Sequence, residues 1–177
     1  MTADADLVRR AIGGDRDAAG EIYDRYAPLV RAILLDATGS LSEANDLLQE
    51  VFLRALAGLA QLRQPELLCG WLIGIARRQG SEYRRAKSRQ RHRFTPLAND
   101  PPAVSDGADS EEIALVRQAI RELPEQERLA IHIHYLCGER AEVARAALKL
   151  SPSGFYKLLD RARERLRFAL LDLERKK

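Results

Sequence analysis

The stretch from Ser40 to Leu59, SLSEANDLLQEVFLRALAGL, decides the fold. Ser40 stands three residues before Glu43, the spacing at which each side chain can satisfy the other's unpaired backbone N–H at a helix start. From there apolar residues return at helical spacing, placing Leu47, Leu48, Val51, Phe52, Ala55 and Leu59 on one face. Asp46, Gln49, Glu50 and Arg54 are left pointing the other way. A helix built like this buries one stripe and shows another, so it needs helical neighbours.

Those neighbours are legible on both sides. Upstream, a short helix holding Leu7, Val8 and Ile12 ends at Gly13-Gly14, and Asp15 can cap a longer one with apolar face Ile22, Tyr23, Tyr26, Val30, Ile33 and Leu34. Pro28 predicts a kink or break in that second helix. Downstream, Pro65 suits a first helical position, and the fourth helix carries Leu68, Leu72, Ile75, Ala76 and Tyr83. No run of period-two alternation interrupts this pattern, so the expected class is all-α.

The segment FTPLANDPPAVSDGADS (residues 94–110) breaks every periodicity and holds no Lys or Arg, which reads as a flexible acidic, Pro-rich linker. Beyond it, helices are expected around Ile113, Val116, Ile120 and Leu123, then from Pro124 through Leu129, Ile133 and Leu136, then over 139–148. Ser151-Pro152 starts a long last helix with stripe Phe155, Leu158, Leu159, Ala162, Leu166, Leu170 and Leu173. The plan is two small helical domains, 1–93 and 111–177, joined by the linker 94–110.

Charge singles out one helix. The whole chain of 177 residues has a net charge of only +3, yet RRAKSRQRHR (residues 84–93) packs six Lys or Arg and a His into ten positions. Residues seven apart on a helix return to within about 20°, so Arg77, Arg84 and Arg91 line one stripe and Arg78 with Arg85 its neighbour. Solvated faces mix signs; here Glu82 is the only acid between Arg77 and Arg93, a pattern that suits nucleic-acid phosphates. Trp71 adds an aromatic surface near the helix start, although a single Trp at helical spacing is more often core.

The run from Glu139 to Arg167 reads as helix, short turn at Leu150-Ser151, and second helix, the pattern of a helix-turn-helix. Ser153, Gly154, Tyr156 and Lys157 at the start of the second helix are the candidates for base edges, and Arg161 and Arg163 further along for phosphate. A plain helical bundle explains these helices about equally well until the basic helix of the other domain is counted.

With those pieces in hand, the chain resembles the extracytoplasmic-function group of bacterial RNA polymerase sigma factors over almost its whole length. The carrying stretches are LVRRAIGGDRDAAGEIYDRYAPLV, ANDLLQEVFLRAL, GWLIGIARR and LPEQERLAIHIHYLCGERAEVARAALKLSPSGFYKLLDRARERLR, with DLLQEVFLRA and LDRARERLR the most specific. The resemblance implies a region 2-like domain that binds polymerase and the −10 element and a region 4-like domain that reads the −35 element. By position it places Asp46, Gln49, Glu50 and Arg54 on the polymerase-docking helix, and Trp71, Arg77, Arg78, Tyr83, Arg84 and Arg85 on −10 DNA. The partners it implies are core RNA polymerase, through the β′ clamp coiled coil and the β flap, promoter DNA and an anti-sigma factor.

Several positions depart from the family pattern. Leu68 and Ile73 stand where rings are common, leaving Trp71 nearly alone to stack on an unpaired base. Lys149 replaces a turn glycine, which demands either another turn or a left-handed backbone. Arg145 takes the place of a small residue, and Tyr156 and Leu158 occupy positions that are usually basic.

Other chemistries find little support. Cys69 and Cys137 lie far apart without CxxC spacing, and on a helix His132 points away from His134 and Cys137, so no metal or other cofactor is expected. No GxxxxGK[ST], GxGxxG, HExxH or GxSxG is present, and no enzyme is expected. Without a secretory leader after Met1 or a run of about eighteen apolar residues, a cytoplasmic protein without membrane insertion is expected. The leading expectation is a sigma factor. Its alternatives are a stand-alone helix-turn-helix regulator and a sigma-like protein that binds polymerase without melting promoters.

Overall fold

A computed structural model describes residues 3–93, 111–136 and 146–175. These are all helix, turn or coil, with no strand among the described residues, which establishes the all-α class. The chain divides into two compact units, Met1–Ser105 and Asp106–Lys177. The segment read as a linker, most of the helix expected over 139–148, Arg145, Cys137 and the side chain of Arg91 lie outside the described residues.

The first unit contains α1 (Ala3–Ile12), α2 (Arg16–Thr38), α3 (Leu41–Gly58) and α4 (Leu68–Arg93), with short 3₁₀ turns at Leu59–Gln61 and Pro65–Leu67. Its helix starts follow the local signals: Asp15 Oδ1 accepts from the N–H of Asp17 and Ala18, and Ser40 Oγ from Glu43. Gly14 and Gly39, at φ 89° and 74°, turn the chain out of α1 and α2. α2 is the centre, packing against α1, α3 and α4. Leu7, Val8, Ile22, Tyr26, Leu29, Val30, Leu34, Leu48, Val51, Phe52, Leu68 and Leu72 close the core around it.

Pro28 does not break α2, which runs unbroken from Arg16 to Thr38. Tyr26, Ala27, Leu29 and Val30 on either side are all buried, and their packing outweighs the roughly 3 kcal/mol a mid-helix proline costs. Pro65 opens a 3₁₀ turn rather than α4 itself. Ile12 and Tyr23, expected in the core, are exposed, and Tyr23 lies against Phe52 in a tilted contact with ring centroids 4.7 Å apart. A link with no local signal holds α1 down: the carboxylate of Asp4, 2% exposed, accepts from Tyr26 Oη at 2.6 Å and from Arg25 at 2.8 Å.

The second unit contains α5 (Glu111–Glu122), α6 (Glu125–Leu136), a helix end at 146–148, and α7 (Pro152–Arg175). α7 packs on α5 and α6 through Phe155, Leu158, Leu159 and Ala162. Arg128 donates to the carbonyls of Arg121 and Leu123 at 2.9 and 3.2 Å, closing the end of α5. Ile113, Val116 and Leu136, expected in the core, are exposed; Leu123, also expected there, is buried, as is Ala119.

Candidate functional site

α3 and α4 run antiparallel, and three contacts along their seam fix the register. The ring of Trp71 lies over Gly58, where a Cβ would meet Cζ2 at 3.3 Å. Gln79 bridges Glu50 and Arg54, and Lys87 reaches Glu43 at 3.3 Å and Tyr83 Oη at 2.7 Å. Burial pushes the Tyr83 phenol up, with the Glu43 carboxylate adding to it, and the hydrogen bond to Tyr83 pushes the Lys87 ammonium up. Both shifts favour a neutral phenol beside a charged amine. Lower on α4, Gly80 sits so close to α2 that a Cβ would stand 2.7 Å from that of Ala37.

On the outward face of α3, Asp46, Gln49, Glu50 and Arg54 are all exposed. The sequence missed what they surround: Leu53, 71% exposed, lies at the middle of that face, with Leu56 at its edge. Together they put a small apolar spot among polar side chains on that face. Its signal was positional, since Leu53 falls on the polar side of the same helical pattern that buries Leu48 and Phe52. Glu50 and Arg54 are not loose charges: Arg54 stands 3.7 Å from Glu50 and 3.8 Å from Glu82 of α4.

The outward face of α4 is cationic over about 18 Å of helix, about five base-pair steps of one strand. Arg78 and Arg85 lie near its centre, with Arg77 and Arg84 on one flank, and all are exposed. Arg89, not singled out in the sequence, continues the same ridge. Glu82 turns aside toward Arg54, leaving the ridge of one sign. Trp71 is half-buried on the same side of the helix as Arg78, one edge held on Gly58. Leu68 and Ile73, at positions where rings are common, are buried core and face no ligand. Tyr83 is half-buried, with its hydroxyl engaged by Lys87.

In α7 the candidate residues separate. Ser151 caps the helix, accepting from the N–H of Gly154 at 3.1 Å, and a Cβ at Gly154 would crowd that oxygen at 3.0 Å. Lys149 ends the preceding helix with φ 55°, so the chain takes the left-handed alternative. Ser153, Tyr156, Lys157 and Arg161 face outward, but Asp160 and Glu164 share that face and mix its sign. Arg163 turns toward α6, 3.2 Å from both Tyr135 Oη and His134 Nε2, and Arg165 pairs with the buried Glu127 at 3.2 Å. Leu158 is core, so its apolar character has a packing cause. Between α5, α6 and α7 an apolar groove of about 540 Å³ is lined by Val116, Ile120, Ile131, Leu166 and Leu170, with Arg163 and Arg167 also along it. His132 is buried and His134 half-buried, and among the described residues no three His, Cys, Asp or Glu converge on a metal position. No described helix is long and apolar enough to cross a membrane.

The model of the Sigma-70 region 2 family matches residues 22–90, which span the end-to-end seam of α3 and α4. The "Probable RNA polymerase sigma factor RfaY" of Xanthomonas campestris pv. campestris is 30% identical over 174 residues, 91% of this chain and 42% of that protein. The ECF RNA polymerase sigma factor BldN of Streptomyces coelicolor is 31% identical over 148 residues, 79% of this chain and 56% of that protein, so the chain spans about half the length of these two. The ECF RNA polymerase sigma factor SigM of Bacillus subtilis is 31% identical over 150 residues, 83% of this chain and 91% of that protein. Among solved structures, CnrH in complex with the cytosolic domain of CnrY superposes with TM-score 0.65 at 23% identity, covering 97% of this chain and 99% of that one. The sigma factor RpoE in complex with the anti-sigma factor NepR from Bartonella quintana gives 0.58 at 22% identity, covering 85% of this chain and 95% of that one, and the two share its fold. With a region 2 match laid over the α3–α4 pair and a 31% identity to SigM over 83% of this chain, the chain belongs to the extracytoplasmic-function RNA polymerase sigma factors.

Proposed function

We propose that this chain binds core RNA polymerase, directs it to promoters and helps open them, with no catalytic step of its own. The observation that carries the reading is the pairing, in one unit, of a one-signed arginine ridge on α4 with a polar face on α3 centred on an exposed leucine. Asp46, Gln49, Glu50 and Arg54, with Leu53 as anchor, dock on the β′ clamp coiled coil. Arg77, Arg78, Arg84, Arg85 and Arg89 grip phosphates around the −10 element, and Trp71 stacks on a base there. Ser153, Tyr156, Lys157 and Arg161 are the −35 contacts, with Gly154 shaping the helix start and Arg163 bracing α7 on α6. The apolar groove of the second unit suits the β flap. An anti-sigma factor is the expected regulator, and the cytoplasm the place of action.

Abortive transcription with purified core polymerase on a panel of promoter fragments tests the reading. Asp46→Ala/Glu50→Ala should lose polymerase binding, whereas Arg78→Ala/Arg85→Ala should keep it and lose initiation. Specific duplex binding by the chain alone, without any transcript, would replace this reading with a stand-alone regulator. A second reading has its own observation: with Leu68 and Ile73 buried and Tyr83 engaged, Trp71 is the ring left to capture an unpaired base. If wild type docks on polymerase yet permanganate finds no unpaired thymines at the promoter, that reading, docking without melting, is correct.

A further inference from the structure

Gln79 lies beneath both candidate interfaces and belongs to neither, being 6% exposed in the α3–α4 seam. A buried carboxamide is costly unless both ends are paired. Here they are: Oε1 accepts from Arg54 Nη1, and Nε2 donates to Glu50 Oε2 at 2.5 Å. The amide can adopt only this orientation, because a guanidinium only donates and a carboxylate only accepts. Arg54 also faces Glu82 at 3.8 Å, so Gln79 sits inside a network of two acids and one base whose outer members reach the surface. Packing alone does not ask for glutamine, since Leu72, Ala76, Val51 and Ala55 of the same helices are buried and apolar.

We propose that Gln79 is a positioning residue for polymerase docking: it holds Glu50 and Arg54 in the conformations in which they meet the polymerase. The inference rests on the reading of α3 as the docking face. Long charged side chains lose rotamer freedom when an interface forms, and a buried partner that has already fixed them removes that loss from the binding step. The same carboxamide keeps the pair from collapsing into a direct Glu50–Arg54 contact within α3, which stands at 3.7 Å rather than at hydrogen-bonding distance.

The test measures the affinity of the labelled full chain for core polymerase in wild type, Asp46→Ala, Gln79→Leu, Glu50→Ala and the Gln79→Leu/Glu50→Ala double variant. Trp71 fluorescence on urea unfolding checks each fold. Gln79→Leu should fold as stably as wild type and bind polymerase about tenfold more weakly. Because Gln79 acts through Glu50 and Arg54, the double variant should lose clearly less than the sum of the two single losses. Additive losses, or wild-type binding by Gln79→Leu while Glu50→Ala weakens it, would overturn the inference and leave the docking reading standing. Unchanged binding by Glu50→Ala and by Asp46→Ala would remove the docking reading and the inference together. Gln79→Met, unbranched and similar in length, repeats the comparison if Gln79→Leu unfolds.

Discussion

Gly80→Ala puts the α2–α4 crossing to a quantitative test. The added methyl would stand 2.7 Å from the Cβ of Ala37, whereas carbon atoms rest at about 3.5–4.0 Å, so the helices must part by about 1 Å. Such overpacking costs about 1–3 kcal/mol, and the better helix propensity of alanine returns about 1 kcal/mol. The expected net loss is about 1 kcal/mol, or roughly 5 °C in Tm for a unit of this size. Urea unfolding followed by the fluorescence of Trp71, the only tryptophan, reads the first unit. Gly74 supplies the control: it lies exposed on the same helix with nothing within 4 Å of an added Cβ, so Gly74→Ala should stabilise by about 1 kcal/mol. Exchanging the two residues, Gly80→Ala with Ala37→Gly, should restore near-wild-type stability. If Gly80→Ala stabilises as much as Gly74→Ala does, or the exchange is no better than the sum of its parts, the close approach of α2 and α4 is not what requires glycine.

Lys149→Gly should stabilise the second unit by about 1 kcal/mol, because it removes the left-handed strain at φ 55°, seen as a rise in the far-UV circular dichroism midpoint with the Trp71 transition unmoved. Asp4→Ala should destabilise the first unit by about 1–3 kcal/mol and speed hydrogen exchange in α1 before α3, since it strips Tyr26 and Arg25 of a buried acceptor; uniform exchange across both helices would show that Asp4 does not hold α1 locally. The Asp15 carboxyl is held below its ordinary value by the N–H of Ala18 and then by Arg10. Its contribution is therefore complete above about pH 4 and lost as pH falls through the lower folded value. Asp15→Asn, which keeps a capping oxygen without the charge, should flatten the stability profile below that pH and not above it, as acid titration of the unfolding midpoint will show.

What the sequence disclosed and what it hid divide by range. Asp15, Ser40 and Ser151 were legible because each cap bonds a backbone N–H two or three residues away. Asp4, Gln79 and Gly80 were not, because their partners lie at Tyr26, Glu50 and Ala37, and nothing local distinguishes a seam glutamine from a wet one. Pro28 shows the opposite: the break that its local rule allows does not occur, because the burial of its neighbours keeps α2 continuous. The same split runs through the candidate site. The α4 ridge was readable because one sign dominates a whole stretch, so small errors in helical phase leave the conclusion unchanged. In α7 basic and acidic residues alternate within a turn. There the phase decides whether Arg163 and Arg165 face a ligand or α6, and the structure turns both toward α6.

The antiparallel seam would make the two functions proposed for the first unit mechanically dependent. Glu50 and Arg54 on the proposed docking face share one buried carboxamide, Arg54 also faces Glu82 beside the arginine ridge, and Glu43 at the start of α3 is tied to Lys87 near the far end of the ridge. A shift of α3 relative to α4 would therefore break polar contacts at both ends at once. Because the buried Gln79 carboxamide is costly to leave half-paired, the seam favours one register over a continuum. If α3 docks polymerase and α4 captures a strand as proposed, both tasks fall on one locked helix pair, and the separation between the two surfaces is set before either partner arrives. A loop between the two faces would have to be ordered on binding, whereas a locked helix pair avoids that entropy loss, which is the physical advantage of placing both proposed tasks on neighbouring helices.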